Sequence, residues 1–229
     1  MREKALRYLN RDYLLNVDLI EGINRGLCDI LYADADGVLL RMKDGGVYMI
    51  SSDTAEKTLE LLEKFKPQVL VLHQMEQKGA VIEKSGYNCG NECVNAVYAK
   101  REMLPESGFD IRPLTMEYAI LASSTYHMGD LEYITELIEK QILTGAFEGE
   151  TLMGFMGVHD EGAMGILEVL PEYRRRGIAR ALESHMINRT LERGEVPYGQ
   201  ICADNTASLE LQKMLGMEIS EKHICWMWR

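Results

Sequence analysis

A strand-helix-glycine-strand plan occurs twice in this chain, and it narrows the possible folds more than any other feature. Near the C-terminus the plan reads as a strand over 199–203, a helix over 206–215, Gly216 as its stop and a strand over 224–228. Earlier it reads as a short apolar strand over 69–72, a helical stretch to Ser85, Gly86 as the stop and a strand over 94–98. A glycine just past a helix supplies the left-handed residue that closes the last turn. Apolar runs of this length, bounded by such stops, read as buried strands. Gly86 and Gly216 each stand 11 residues before the next-to-last position of the strand that follows, Val97 and Met227. An internal structural repeat explains that spacing, and so does chance agreement between two ordinary strand-helix-strand units.

With 229 residues the chain can build one large domain or two modest ones. Turn formers at 103–108, Met-Leu-Pro-Glu-Ser-Gly, divide it into an expected N-terminal domain over 1–106 and a C-terminal domain over 107–229. The first begins with a helix and a hairpin from about Asp29 to Ile50, with turns at Asp36-Gly37 and Asp44-Gly45-Gly46. A helix capped near Asp53 follows and ends at Pro67. The second reads as a strand over 109–112, helices from about Thr115 and Asp130, and strands near 143–147, 152–159 and 163–170. The helix after Gly177 places Ile178, Ala181, Leu182, His185 and Met186 on one face. The expected fold class is α+β, with a mixed α/β sheet.

Several function classes drop out. Apolar residues make up 46% of the chain and charged residues 27%, the balance of an ordinary globular protein. No apolar stretch approaches the roughly 20 residues needed to span a bilayer, and Met1-Arg2-Glu3-Lys4 lacks the apolar core of a signal peptide. A cytoplasmic location with no membrane partner is therefore expected. Five scattered cysteines form no closed disulfide framework, and Cys89-x3-Cys93 has no second pair at zinc-binding distance, so no metal is expected. A net charge of -11 opposes binding to nucleic acid and favours cationic amines. Asp34-Ala-Asp36-Gly37 has the wrong spacing for a calcium loop and reads as a hairpin turn. The scattered methionines read as core fillers.

The chemically informative passage is Val169-Leu-Pro-Glu-Tyr-Arg-Arg-Arg-Gly-Ile-Ala-Arg-Ala-Leu-Glu183, a strand that runs through a basic turn into an amphipathic helix. A helix start exposes unpaired N–H groups and the positive end of the dipole, and Gly177 has no Cβ to hold a diphosphate off the backbone. Ala179 is the next small residue on that turn. Arg174, Arg175 and Arg176 can add charge-assisted contacts to phosphate. Spacing alone fits this anion site and a solvated basic helix start equally well.

Arg174-x-x-Gly177-x-Ala179 after Val169-Leu170-Pro171-Glu172 resembles the acyl-CoA pyrophosphate motif of the GNAT superfamily. Ile111-Arg-Pro-Leu-Thr115 resembles the first strand of that fold, and Asn205-Thr-Ala-Ser208-Leu-Glu-Leu-Gln-Lys-Met-Leu-Gly216-Met217 resembles its second conserved helix. Three blocks in the right order extend the resemblance over about 109–229. Within the superfamily, Leu170 to Gly177 and Cys225-Trp-Met-Trp228 look most like the glycine N-acyltransferase-like branch. The resemblance implies a GNAT fold in the C-terminal half and a degenerate GNAT-like N-terminal half. Residues 53–66 hold no counterpart of the arginine motif, so one cofactor site per chain is expected.

What the resemblance implies is transfer of an acyl group from acetyl-CoA or another acyl-CoA to the amine of a small molecule or peptide. The strands at 163–170 and 199–203 would splay around the pantetheine. Val169 and Leu170 would bind it through their backbones, the turn from Arg174 through Arg175, Arg176, Gly177 and Ile178 to Ala179 would hold the pyrophosphate, and Asn205 and Ser208 would face the cofactor. Asn205 has an equal alternative as a helix cap, a role Asp204 could share. A protonated amine must lose its proton to attack, and Glu168, a carboxylate set among Ile166, Leu167, Val169 and Leu170, is the first candidate base. A solvent-facing strand is its plain alternative. Glu161 and His159 at the neighbouring turn are lesser candidates, and His185 suits a core histidine better. Where the family often has a tyrosine to protonate the departing thiolate, this chain has Gln212, leaving water or another group such as Tyr198. An acyl-CoA-binding regulatory protein without turnover is the alternative function.

Overall fold

A computed structural model describes residues 1–126 and 129–229. In chain order the helices and strands are α1 (Arg2–Leu9), α2 (Val17–Asn24), β1 (Cys28–Asp34), β2 (Gly37–Met42), β3 (Val47–Ser52), α3 (Ala55–Phe65), β4 (Val69–Leu72), α4 (Lys78–Ser85) and β5 (Asn88–Val97). They continue with β6 (Asp110–Pro113), α5 (Ala119–Thr125), α6 (Leu131–Glu139), β7 (Thr144–Glu148), β8 (Thr151–Val158) and β9 (Met164–Val169). Last come α7 (Ile178–Glu192), β10 (Tyr198–Cys202), α8 (Thr206–Leu215), β11 (Glu218–Ile219) and β12 (Ile224–Trp228). This is the expected mixture of helices and strands. None of the described helices is long and apolar enough to cross a membrane.

Local chemistry explains the boundaries. Thr54, rather than the neighbouring Asp53, caps α3 by accepting the N–H of Lys57, while Asp53 takes Tyr8 and Arg11. Left-handed Lys66 and then Pro67 end that helix. Asp130 caps α6 through the N–H of Tyr133. Gly86 and Gly216 are both left-handed stops, as their place in the sequence suggested. Two details escaped the sequence patterns. The N-terminal helical region is two helices, and β5 begins at Asn88, well before Val94, because Asn, Cys, Gly and Glu carry little strand signal.

Compactness groups the chain into two units. The first contains residues 1–99, 160–163 and 198–229, and the second contains 100–159 and 164–197. In the first unit the strand order is β1-β2-β3-β4-β12-β5-β10, with β11 also on β5. Among the described pairs of this unit only β3 and β4 run parallel, joined by the α3 crossover; the others are antiparallel. The last strands of the two similar runs have changed places. β12 pairs with β4, and β5 pairs with β10. Two clusters of buried residues in this unit include the exchanged strand: Ile224 packs with Leu9, Leu19 and Val71, and Cys225 and Met227 pack with Leu39, Leu61 and Leu70. This exchange places 198–229 with residues 1–99 in one compact unit.

The second unit is an antiparallel β9-β8-β7-β6 sheet with α7 against β7, β8 and β9. Its core joins Ile134 and Leu137 of α6 to Phe147, Leu152, Phe155 and Ile166 of the sheet. The strand β9 is irregular where it meets β8. Glu168 lies opposite Phe155 and Gly165 opposite Gly157, so three steps of β9 match two of β8.

Candidate functional site

The basic turn lies between the end of β9 and the start of α7. A 3-10 turn over Pro171–Tyr173 leads out of the strand, and Arg174 folds back so that its Nε donates to the carbonyl of Val169 at 3.1 Å. Arg175 is left-handed at φ 64, and Gly177 is left-handed at φ 85. A non-glycine residue there costs roughly 1–2 kcal/mol, so the conformation of Arg175 is imposed by its surroundings. Gly177 is the N-cap of α7, with no side-chain cap, and an added Cβ at that position would meet nothing within 4 Å. The start of a 15-residue helix, with its unpaired first N–H groups, therefore has open space beside its glycine.

Arg176 pairs with Glu148 at 3.0 Å and lies over the Tyr173 ring. Both partners of the ion pair are well exposed, at 43% and 64%, and such pairs contribute only about 0–1 kcal/mol. A phosphate can thus compete for Arg176 at little cost. Ile178 is buried and anchors the helix start, whereas Ala179 is half-buried. These residues fit a diphosphate. The end of β9 is partly committed already, because the N–H of Leu170 donates to the carbonyl of Met153 and the carbonyl of Val169 receives Arg174.

Glu168 is half-buried on β9, two residues past the irregularity. Ile166 has φ 54, a left-handed conformation that β-branched residues rarely adopt. Here the strand bulges, and bulges next to sites of chemistry redirect side chains and backbone groups. Nothing in the run Gly-Ile-Leu-Glu-Val announces it. On the far side of the bulge the ring of His159 lies over Gly165. His185 is only half-buried, and burial followed by Arg189 lowers its pKa, so the expected core position is corrected to a boundary one.

The remaining candidates belong to the other compact unit. Asn205 caps α8, accepting the N–H of Ser208 at 3.1 Å, and this realises the structural half of its two readings. Ser208 is half-buried and Gln212 is buried. Tyr198 is fully buried, its hydroxyl donates to the carbonyl of Glu161 at 2.7 Å, and burial raises its pKa well above the tyrosine range. Such a group is a poor acid for a departing thiolate. Glu161 is 8% exposed, and burial pushes its carboxyl up to about 7, helped by Asp160 and Asp18.

Asp18 also centres a buried chain the sequence patterns missed. Both its oxygens lie 2.9 Å from Nε2 of His73, whose Nδ1 lies 3.0 Å from the carbonyl of Ile50. Gln200 donates to Asp18, and Trp226 donates to Gln200. The signals were Asp18 inside an apolar helix and His73 closing an apolar strand. Two cavities of about 300 and 260 Å³ lie beyond the ends of β3 and β4, with Leu15, Gln74, Glu76 and Lys222 common to both. None of the sequence-derived site residues lines them.

Residues 144–227, less than half of the chain, match the family model described as FR47-like protein. No curated protein matches. Among solved structures, a Drosophila protein is 23% identical, with a TM-score of 0.64 over 84% of this chain and 73% of its own. An acetyltransferase from the GNAT family of Colwellia psychrerythraea is 12% identical, with a TM-score of 0.55 over 87% of this chain and 84% of its own. A GCN5-related N-acetyltransferase-like protein from Streptococcus suis is 16% identical, with a TM-score of 0.56 and both chains covered in full. The chain has the GNAT acetyltransferase fold. The stretch that matches the FR47-like model contains the bulged strand, the arginine turn and α7 of that GNAT fold.

Proposed function

We propose that the protein is an acyl-CoA-dependent N-acyltransferase whose cofactor site is the turn from Arg174 to Ala179. The observation that carries this reading is the uncapped start of α7, where Gly177 leaves open the space that a Cβ would take. An acyl-CoA thioester would supply the activated acyl group, with acetyl as the simplest case. The N–H groups of Ile178 and Ala179 would receive its diphosphate, and Arg176, released from Glu148, would neutralise it together with Arg174 and Arg175. Val169 and Leu170 would line the pantetheine path. Asn205 and Ser208 are assigned cofactor contacts on resemblance alone.

Glu168 is proposed as the base that takes the proton from the acceptor ammonium, because it is a half-buried carboxylate just past the bulge. The acceptor is an amine on a small molecule or peptide, in keeping with the net charge of -11. Membership of the glycine N-acyltransferase-like branch belongs to the same proposal and rests on Leu170–Gly177 and Cys225–Trp228. A second reading, cofactor binding without turnover, draws on Gln212 in the place of a proton-donating tyrosine and on the burial of Tyr198.

Calorimetric titration with acetyl-CoA and desulfo-CoA tests the proposal. Wild type should bind both, and Gly177→Asp should weaken binding about tenfold or more, since a carboxylate would fill the cradle and repel phosphate. Absence of binding by folded wild type would remove the proposal. Release of free thiol with at least one amine then selects transfer, and binding without release for any amine selects the second reading.

A further inference from the structure

Two pairs of thiols flank β5. Cys93 stands directly opposite Cys202 of β10, with the sulfurs 4.0 Å apart. Further along the strand, the sulfur of Cys89 lies 3.2 Å from that of Cys225 on β12. The register explains the second approach. Cys225 pairs with Glu92 and Met227 with Cys89, so β5 uses three steps where β12 uses two, and the offset carries Cys89 towards Cys225.

This second pair is unsymmetrical. Cys89 is exposed, whereas Cys225 is completely buried. Lys78, at the start of α4, pairs with Glu92, and Glu92 followed by Cys89 holds its ammonium well above the usual lysine range. A reagent arriving from solvent therefore meets Cys89 alone, with the Lys78 ammonium nearby. Burial, and then Cys89 itself, push the Cys225 thiol up to about 12.

We propose that Cys89 and Cys225 form a thiol modification site that exchanges with low-molecular-weight disulfides, with Cys89 as the attacking sulfur and Cys225 as the resolving sulfur. In the first step the Cys89 thiolate attacks one sulfur of the small disulfide, which joins it in a mixed disulfide, and one small thiolate leaves. Capping Cys89 removes the second of the effects that raise the Cys225 thiol, burial being the larger, while Lys78 stays nearby and favours its ionisation. Cys225 then loses its proton and attacks the Cys89 sulfur, and the second small thiolate departs. Two protein thiols and one small disulfide become one protein disulfide and two small thiols. The sulfurs need only close from 3.2 Å to about 2.05 Å. Cys93 is buried, and its thiol is raised first by burial and then by Cys202, so that pair stays reduced.

The test is incubation of the full-length protein with oxidised glutathione, followed by thiol counting and non-reducing peptide mapping, with folding checked by circular dichroism. Wild type should lose two thiols, retain no glutathione and yield a peptide linked through Cys89 and Cys225. Cys225→Ser should hold one glutathione on Cys89, and Cys89→Ser should not react at this pair. Lys78→Met should slow the first step about threefold or more. A stable adduct on wild type, a bond through Cys93 or Cys202, or unreactive thiols in the folded protein that react once it is unfolded in urea would each overturn the proposal.

Discussion

The carboxyl of Glu161 shows how much a single residue depends on what covers it. On the sequence it stands in the turn Asp160-Glu161-Gly162 and is a lesser candidate base; in the structure it is 8% exposed, and burial pushes its pKa up to about 7. Burial favours the protonated form, so the folded state binds more protons than the unfolded chain between the usual carboxylate value and about 7. The stability this group contributes is complete below the usual carboxylate value and is lost as the pH rises through about 7. A shift of this size corresponds to about 3 kcal/mol. Urea unfolding of wild type and Glu161→Gln, compared at about pH 4 and about pH 8, should move by that amount in favour of the variant. A pH-independent difference would mean that the carboxyl titrates normally. Gly177 was legible because a missing Cβ is a property of the residue itself. The burial of Glu161 was not, because it depends on segments far away in the chain.

Most elements could be read from their own sequences. α8 and β12 occupy the expected residues, since Asn205, Gly216 and the apolar run from Ile224 are local signals. The irregular part of β9 was invisible, because a bulge is a relation between two strands. Its partner β8 leaves no slack there. A Cβ on Gly154 would lie 2.6 Å from the carbonyl oxygen of Glu168, 3.2 Å from Cα of Val169 and 3.3 Å from Cγ2 of Ile178. These neighbours are backbone or a buried helix anchor, so they cannot turn aside. Gly154→Ala should therefore cost about 1–3 kcal/mol and lower the midpoint of thermal unfolding. An unchanged midpoint would show that β8 and β9 are looser than this contact implies.

At the scale of the whole molecule, the strand exchange decides what can fold alone. The fragment 1–106 keeps β4 and β5 but loses β12, which lies between them, and β10, which covers the other edge of β5. It also loses Ile224, Cys225 and Met227 from two clusters of buried residues. Exposed strand edges and missing core side chains should leave this fragment without a cooperative thermal transition by circular dichroism. Cooperative unfolding of the fragment would show instead that the first half is a domain in its own right, as the turn formers at 103–108 suggest.

The amino-acid sequence by itself determined the strand and helix alternation, the glycine stops and the basic turn ahead of α7, because each is written in neighbouring residues. It also carried the resemblance from which a GNAT fold was expected. Only the tertiary structure decided that the last strands of the two runs trade partners, that β9 bulges at Ile166, that Glu161 is covered and that Cys89 faces Cys225 across 3.2 Å. Strand pairing, burial and contact between residues 136 apart depend on how distant segments come together, and side-chain pattern along one segment does not encode that choice.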